Sequence, residues 1–298
     1  MTPDLRVGAP CAVQPWSRVM SFKDLLVVLD AGPSNDARVG LAVWLAGRFE
    51  AHLTGLHPSS TSQASLFSVG LDSGLLDVAL QETFKRLEAR AAKVRSSFET
   101  LASHQGLTAE WRVARGFPGP DTVLHARYAD LVILGQRGPG DSVLDDPDPA
   151  DVVLDAGCPV LIVPYAGQFE RIERHALIAW NASRQAARAV RDALPLLQIC
   201  RNVTVLAVNP RQGAQGHGQE PGANIALHLA RHGITVEIDS SFAPDGDPAS
   251  EILSRAADYG SDLIVMGAYG HSRMRELVLG SVTRSILQQM TVPVLMSH

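Results

Sequence analysis

Gly267-Ala-Tyr-Gly270, followed after nine intervening residues by Gly280-Ser281, is the part of this 298-residue sequence whose residue types and spacing best fit chemistry. The first glycine follows Leu263-Ile-Val-Met266, which reads as a buried strand, and Gly280-Ser281 opens a helical stretch running to Met290. Glycine lets a backbone turn tightly against a ligand. The first amides of a helix have no internal partners and sit at the positive end of its dipole. Together these features make a phosphate site. His271, Arg273 and Arg275 follow the second glycine, so a cation there could add a charge-assisted bond to a phosphate, although each alone reads as a solvated basic turn. Ser281 can cap the helix or share its amides with an anion. Glu276 is the one carboxylate in the loop and no GxxxxGK[ST] lysine accompanies it, so the usual equipment for fast phosphoryl transfer is missing and no catalytic residue is assigned.

The elements that must position this loop show as an internal repeat. Asp24-Leu-Leu-Val-Val-Leu-Asp30, then a helical pattern through Leu41, Leu45 and Phe49, corresponds to His175-Ala-Leu-Ile-Ala-Trp-Asn181, then Ala186 to Leu197. The run from Tyr128 to Gly138 mirrors Tyr259 to Gly270, and Pro159-Val-Leu-Ile-Val mirrors Pro293-Val-Leu-Met. Continuous apolar runs alternating with longer helical stretches read as parallel strands covered on both faces. The expectation is an α/β protein of two repeated doubly wound domains. Strands are expected near 24–30, 52–57, 109–114, 130–135 and 159–164, with helices near 35–49, 76–104, 119–127 and 149–156. In the second half the strands fall near 175–181, 202–208, 234–242, 262–267 and 293–296. Residues 1–20 read as an N-terminal arm, 21–165 as the first domain, the polar stretch from Tyr165 to Arg174 as a linker, and 174–298 as the second domain.

Sheets of this type place ligands at the carboxyl ends of their strands, where the strand order reverses. Ala179, Trp180 and Asn181 after strand one of the second half should therefore meet Met266 and Gly267 after strand four, with Val208-Asn209 after strand two as a third wall. Trp180 could stack on a base. Asn181 can accept from and donate to a ligand, or simply shape the turn at the strand end.

The spacing Gly-x2-Gly-x9-Gly-Ser, and the tract DLIVMGAYGHSRMRELVLGSVT from Asp262 to Thr283, resemble the nucleotide loop of the universal stress protein family. The resemblance covers both halves, as in a tandem member. It implies two five-stranded sheets of order 3-2-1-4-5. It also implies that ATP or another adenine nucleotide, with Mg2+, is held in the second domain by Ala179, Trp180, Asn181, Val208, Met266, Gly267, Gly270, His271, Arg273, Gly280, Ser281, Val282 and Thr283. The family usually has Asp where this half has Asn181. A stress-response regulator that binds nucleotide is the implied role; a slow ATP hydrolase and a scaffold that binds no nucleotide are the alternatives. Family subunits pair through their terminal strands, so Val160 to Val163 and Val292 to Met296 should pair within the chain as a pseudo-dimer or between chains as a homodimer.

The first half differs. Aligning Pro159 with Pro293 puts Asp146-Pro147 opposite Gly280-Ser281, and Asp141, Asp145, Asp146, Asp148 and Asp151 crowd the equivalent pocket. Two like charges about 4 Å apart repel by roughly 1 kcal/mol in water and about 4 kcal/mol in a partly dry site, so this pocket should reject ATP. The same carboxylates complement the positive end of a helix starting near Pro149. Their spacing is not that of an oxygen-rich metal loop, so no metal site is assigned. Asp30 reads as opening the turn before the helix at Ser34-Asn35.

Composition agrees with a small-molecule partner. With 46% hydrophobic and 19% charged residues and a net charge of −5, the chain has no basic footprint for nucleic acid. Cys11, Cys158 and Cys200 form neither a close pair nor a metal-ligand spacing. No run of about eighteen apolar residues suggests a membrane span, so the cytoplasm is the default location. Stretches 58–74 and 210–222, rich in Gly and in Ser or Gln, could cover the crevices, and His217 reads as a loop histidine.

Overall fold

A computed structural model of the chain describes residues 21–59, 74–139, 146–210, 220–243, 247–268 and 280–298. Leu- and Val-rich runs without polar alternation can bury both faces of a strand, and they set the order of elements. The first domain runs β1 (Asp24–Val28), α1 (Asn35–Phe49), β2 (His52–Pro58), α2 (Gly74–His104), β3 (Ala109–Ala114), α3 (Pro118–Ala126), β4 (Leu131–Gly135), α4 (Pro149–Asp155) and β5 (Val160–Val163). The second runs β6 (His175–Ala179), α5 (Arg184–Asp192), α6 (Leu194–Leu197), β7 (Asn202–Val208), α7 (Ala223–Arg231), β8 (Glu237–Ser241), α8 (Pro248–Asp258), β9 (Leu263–Gly267), α9 (Ser281–Gln289) and β10 (Val294–Ser297). Among the described residues no helix is long and apolar enough to cross a membrane.

All these strands lie in one sheet, ordered β3-β2-β1-β4-β5-β10-β9-β6-β7-β8. Each domain thus has the expected order 3-2-1-4-5. The two meet where β5 pairs antiparallel with β10, with Leu161 opposite Leu295 and Ile162 opposite Val294; the other pairings are parallel. The internal pseudo-dimer is therefore built by the two terminal strands. Helices α1, α2, α5, α6 and α7 cover one face over a core that includes Phe98, Leu45 and Leu196. Helices α3, α4, α8 and α9 cover the other, over Val152, Ile252 and Ile286.

Three expectations shift. The helical pattern from Ala186 to Leu197 is two helices, because Pro195 supplies no N–H to continue the first and fits the first turn of α6. The strand expected at 234–242 shortens to β8, a sheet edge where Glu237 and Ile238 are exposed. The strands expected at 24–30 and 175–181 end two residues early, releasing Asp30 and Asn181 into the turns above the sheet.

An aspartate at the foot of each half of the sheet fixes the start of that half's central strand. Asp130 Oδ2 accepts from Lys23 N (2.6 Å) and Asp24 N (3.1 Å). Asp262 accepts from Glu173 N (3.0 Å), Arg174 N (2.8 Å) and His175 N (3.0 Å). Beside it the buried His175 ring shares hydrogen bonds with Ser261 Oγ (2.7 Å) and Thr204 Oγ1 (3.0 Å). Burial pushes its pKa down, against the pull of Asp262 and Glu237.

Candidate functional site

The second-domain crevice begins where β6 and β9 run side by side. Ala179 stands opposite Met266 on one side and Leu206 on the other, and Gly267 stands opposite Ser297. Ala179, Val208, Met266 and Val282 pack on the face covered by α8 and α9. Trp180 turns to the other face, half-buried against the core beneath α5, and its backbone N–H donates to Leu206 O at 2.8 Å.

Asn181 shapes the turn into α5. Its Oδ1 accepts from Ser183 N (3.1 Å), and Ser183 Oγ then accepts from Ala186 N (3.1 Å) as the helix cap. Ala182 between them has φ 56°, a left-handed backbone that few non-glycine residues adopt. Asn209 is committed too: its Oδ1 accepts from Ala243 N (2.8 Å) and its Nδ2 donates to Ala243 O (3.3 Å), locking the ends of β7 and β8 together.

The two described glycines of the loop pattern have different physical reasons. Gly267 lacks the positive φ that a glycine turn suggests. A Cβ there would lie 2.3 Å from Ala186 N and 2.4 Å from the Gln185 carbonyl carbon, so the first turn of α5 rests directly on this Cα. Gly280 sits at the cap of α9 with φ −53° and ψ 129°, open to any residue. Among the described residues the nearest atom to a Cβ at 280 would be Thr283 Oγ1, at 4.0 Å. Gly280 has no side chain with which to cap α9; Ser281 is exposed, Val282 half-buried and Thr283 buried. Gly270, His271 and Arg273 lie outside the described residues, as do Asp141, Asp145, His217 and most of the proposed crevice covers.

In the first domain the equivalent helix end is occupied by the protein itself. Asp148 caps α4 by accepting from Ala150 N (2.9 Å), and its Oδ2 accepts from Arg137 Nη1 (3.0 Å). Arg137 Nη2 donates to Asp146 O at 3.2 Å. The capping residue is therefore Asp148, two positions beyond the Asp146 that strand alignment sets against Gly280. Burial, with the charges of Asp148 and Asp155, raises the Asp151 carboxyl.

Asp30 is held in place as well. Its Oδ1 accepts from Gly32 N (2.7 Å), and its Oδ2 pairs with Arg38 at 2.5 Å. Arg38 is 1% exposed and also donates from Nε to Val28 O (2.9 Å), so a buried guanidinium lies directly behind Asp30 and Gly135. A cavity of about 410 Å3 opens here, walled by Asp30, Gly135, Gln136, Arg137, Asp146 and Tyr165. It is large enough for a small molecule.

Sequence reading missed Arg38, Ser183 and Gln136. Arg38 carried a signal, as the one cation inside the apolar stripe of α1, eight residues after an aspartate. Ser183 carried another, lying just before a helical pattern.

Two doubly wound α/β domains on one chain, joined edge to edge and each with its crevice at a strand-order reversal, define a tandem α/β protein. The model of the Universal stress protein family matches residues 21–164 and again 173–298, and the chain belongs to that family. Universal stress protein Slr1230 of Synechocystis sp. is 28% identical over 176 residues, covering 56% of this chain and 57% of that protein. Universal stress protein YxiE of Bacillus subtilis is 43% identical over 60 residues, covering 20% of this chain and 40% of that protein. These matches span little more than half of the first relative's length and less of the second's. A universal stress protein of Archaeoglobus fulgidus superposes with a TM-score of 0.66 at 16% identity, covering 92% of this chain and 96% of that one. The functionally unknown protein PA1789 of Pseudomonas aeruginosa superposes with a TM-score of 0.52 at 14% identity, covering 93% and 92%. These two likenesses bear on the fold.

Proposed function

We propose that the second domain holds an adenine nucleotide, ATP foremost, and that the chain acts in the cytoplasm as a nucleotide-responsive stress regulator. The observation that carries the reading is Gly280. Neither its backbone angles nor its described surroundings require glycine, and it brings no capping side chain of its own to the first amides of α9. A residue with no side chain at a helix start suits the close approach of a polyanion. The base and ribose would lie along Ala179, Trp180, Asn181, Val208, Met266 and Gly267. The phosphates would rest on Gly280, Ser281, Val282 and Thr283, with Gly270, His271 and Arg273 as the further contacts the loop pattern supplies. Any Mg2+ would arrive with the triphosphate, since among the described residues no group of three His, Cys, Asp or Glu side chains gathers as a metal site.

The first domain serves as architecture in this reading, because its own aspartate occupies the matching helix end. Calorimetry of the full chain with ATP and AMP tests it: saturable binding of one equivalent, abolished by Gly280→Asp and retained in Asp146→Ala, is expected. Absence of heat and of competition by either nucleotide would overturn it.

A further inference from the structure

Helix α9 is gripped at its far end by the other domain. Its last carbonyls have no partners within the helix, as at any helix C-terminus. Gln136, directly after β4 of the first domain, donates from Nε2 to Leu287 O (2.9 Å) and Gln288 O (3.2 Å). Its Oε1 accepts from Tyr165 N (3.2 Å), and its own N–H donates to Val163 O (2.7 Å). The residue is only 4% exposed. A buried amide with both donors and its acceptor engaged has one orientation, and its N–H groups face the negative end of the helix dipole.

The corresponding residue of the second domain is Ala268, which cannot reach back in this way. The end of α4 is met instead by the more exposed Arg188, whose Nη2 donates to Gly157 O at 2.6 Å. The two grips differ in consequence, because α4 has its other end filled by the side chain of Asp148 whereas α9 starts at Gly280, which has no side chain to place there. Among the described residues, α9 is held by the packing of Ile286 and Met290 and, at its far end, by Gln136.

We propose that Gln136 of the first domain is a positioning residue for the phosphate-binding end of α9 in the second domain. The inference rests on the nucleotide reading given above. A helix of nine residues is about 13 Å long and moves as a rod, so a shift at Leu287 is carried to the amides at Ser281 and Val282. Only phosphates touch those amides in that reading. Losing the grip should therefore weaken ATP and leave adenosine alone, a split that general destabilisation would not produce.

The test uses the full chain and its Gln136→Ala variant. Gln136→Met, which keeps the volume and removes the donors, replaces it should the alanine variant fail to fold. ATP affinity is expected to fall about tenfold, the order expected for two net hydrogen bonds. Adenosine affinity should stay within about twofold, and the amides of 281–289 should exchange hydrogen faster than those of β9. Unchanged ATP affinity, or equal loss for ATP and adenosine, overturns the proposal. If the parent chain binds neither ligand, the nucleotide reading fails by itself, and unaltered exchange in α9 would then remove the mechanical link as well.

Discussion

At the scale of single residues, two glycines of one motif answer to different forces, and substitution separates them. A methyl group on Gly267 meets backbone atoms of α5 at 2.3 Å and 2.4 Å, which no rotamer change can relieve. Gly267→Ala should therefore destabilise the fold by about 1–3 kcal/mol through overpacking, read as a lower urea midpoint. Among the described residues a methyl group on Gly280 comes no closer than 4.0 Å to another atom, Thr283 Oγ1, so Gly280→Ala should stay within about 1 kcal/mol of the parent. Gly280→Asp makes the two properties move apart. A carboxylate at this position can accept from the α9 amides as Asp148 does in α4, so stability should hold or rise by about 0.5–1 kcal/mol. The same carboxylate faces the phosphates, and a repulsion of about 4 kcal/mol per charge pair in a partly dry site predicts more than about a hundredfold loss of ATP affinity. A stable Gly280→Asp variant that still bound ATP would mean that α9 is not the phosphate helix.

At the scale of elements, α4 tests how a helix end is satisfied. Asp148→Ala removes the cap and strands the half-buried Arg137, and a loss of about 1–2 kcal/mol in urea unfolding is expected. The foot of β6 tests linkage. The folded protein lowers the pKa of His175 by burial, and does the same to His57, whose Nδ1 pairs with Leu29 O at 3.0 Å. The unfolded chain, titrating at the ordinary value of about 6.5, takes up these protons first as pH falls. Stability should thus be full above about pH 6.5 and decline as pH drops toward the folded-state values, and His175→Gln should flatten part of that slope in denaturation at about pH 7.5 and 5.5. The strands behind these devices were legible because a strand buried on both faces has no polar alternation, as in Leu131-Val-Ile-Leu and Leu263-Ile-Val-Met. So was the contrast between an aspartate-rich and a glycine-marked helix start, although spacing did not say which of the aspartates would cap α4, and the structure gives Asp148. The break at Pro195 was hidden because the apolar period of Leu194, Leu196 and Leu197 continues across it. Gln136 was illegible for a different reason: its partners lie 151 and 152 residues away and are carbonyls, which every residue has.

At the scale of the whole molecule, the β5–β10 junction decides how the chain handles its sheet edges. Val160 to Val163 and Val294 to Met296 are at most 1% exposed, and an apolar edge of that kind left unpaired is a template for another strand. The true edges of the long sheet are built otherwise. On β3 the salt-bridged Glu110 and Arg112 are half-exposed, and β8 carries Glu237 and Asp239, charges that discourage strand addition. The second domain expressed alone as residues 173–298 should therefore self-associate through β10, the strand that β5 covers in the full chain. Light scattering coupled to gel filtration should give a dimer or larger species for this piece at micromolar concentration, and Leu295→Lys, which places a charge in the bared edge, should return it toward the monomer. The piece also lacks Gln136. If α9 depends on that grip, the isolated domain should bind ATP more weakly than the full chain even when its β10 edge is satisfied by a second copy, because a second copy brings Ala268 to the junction where the first domain brings the amide. Equal affinity in the two forms would show that the junction joins the sheets without tuning the site.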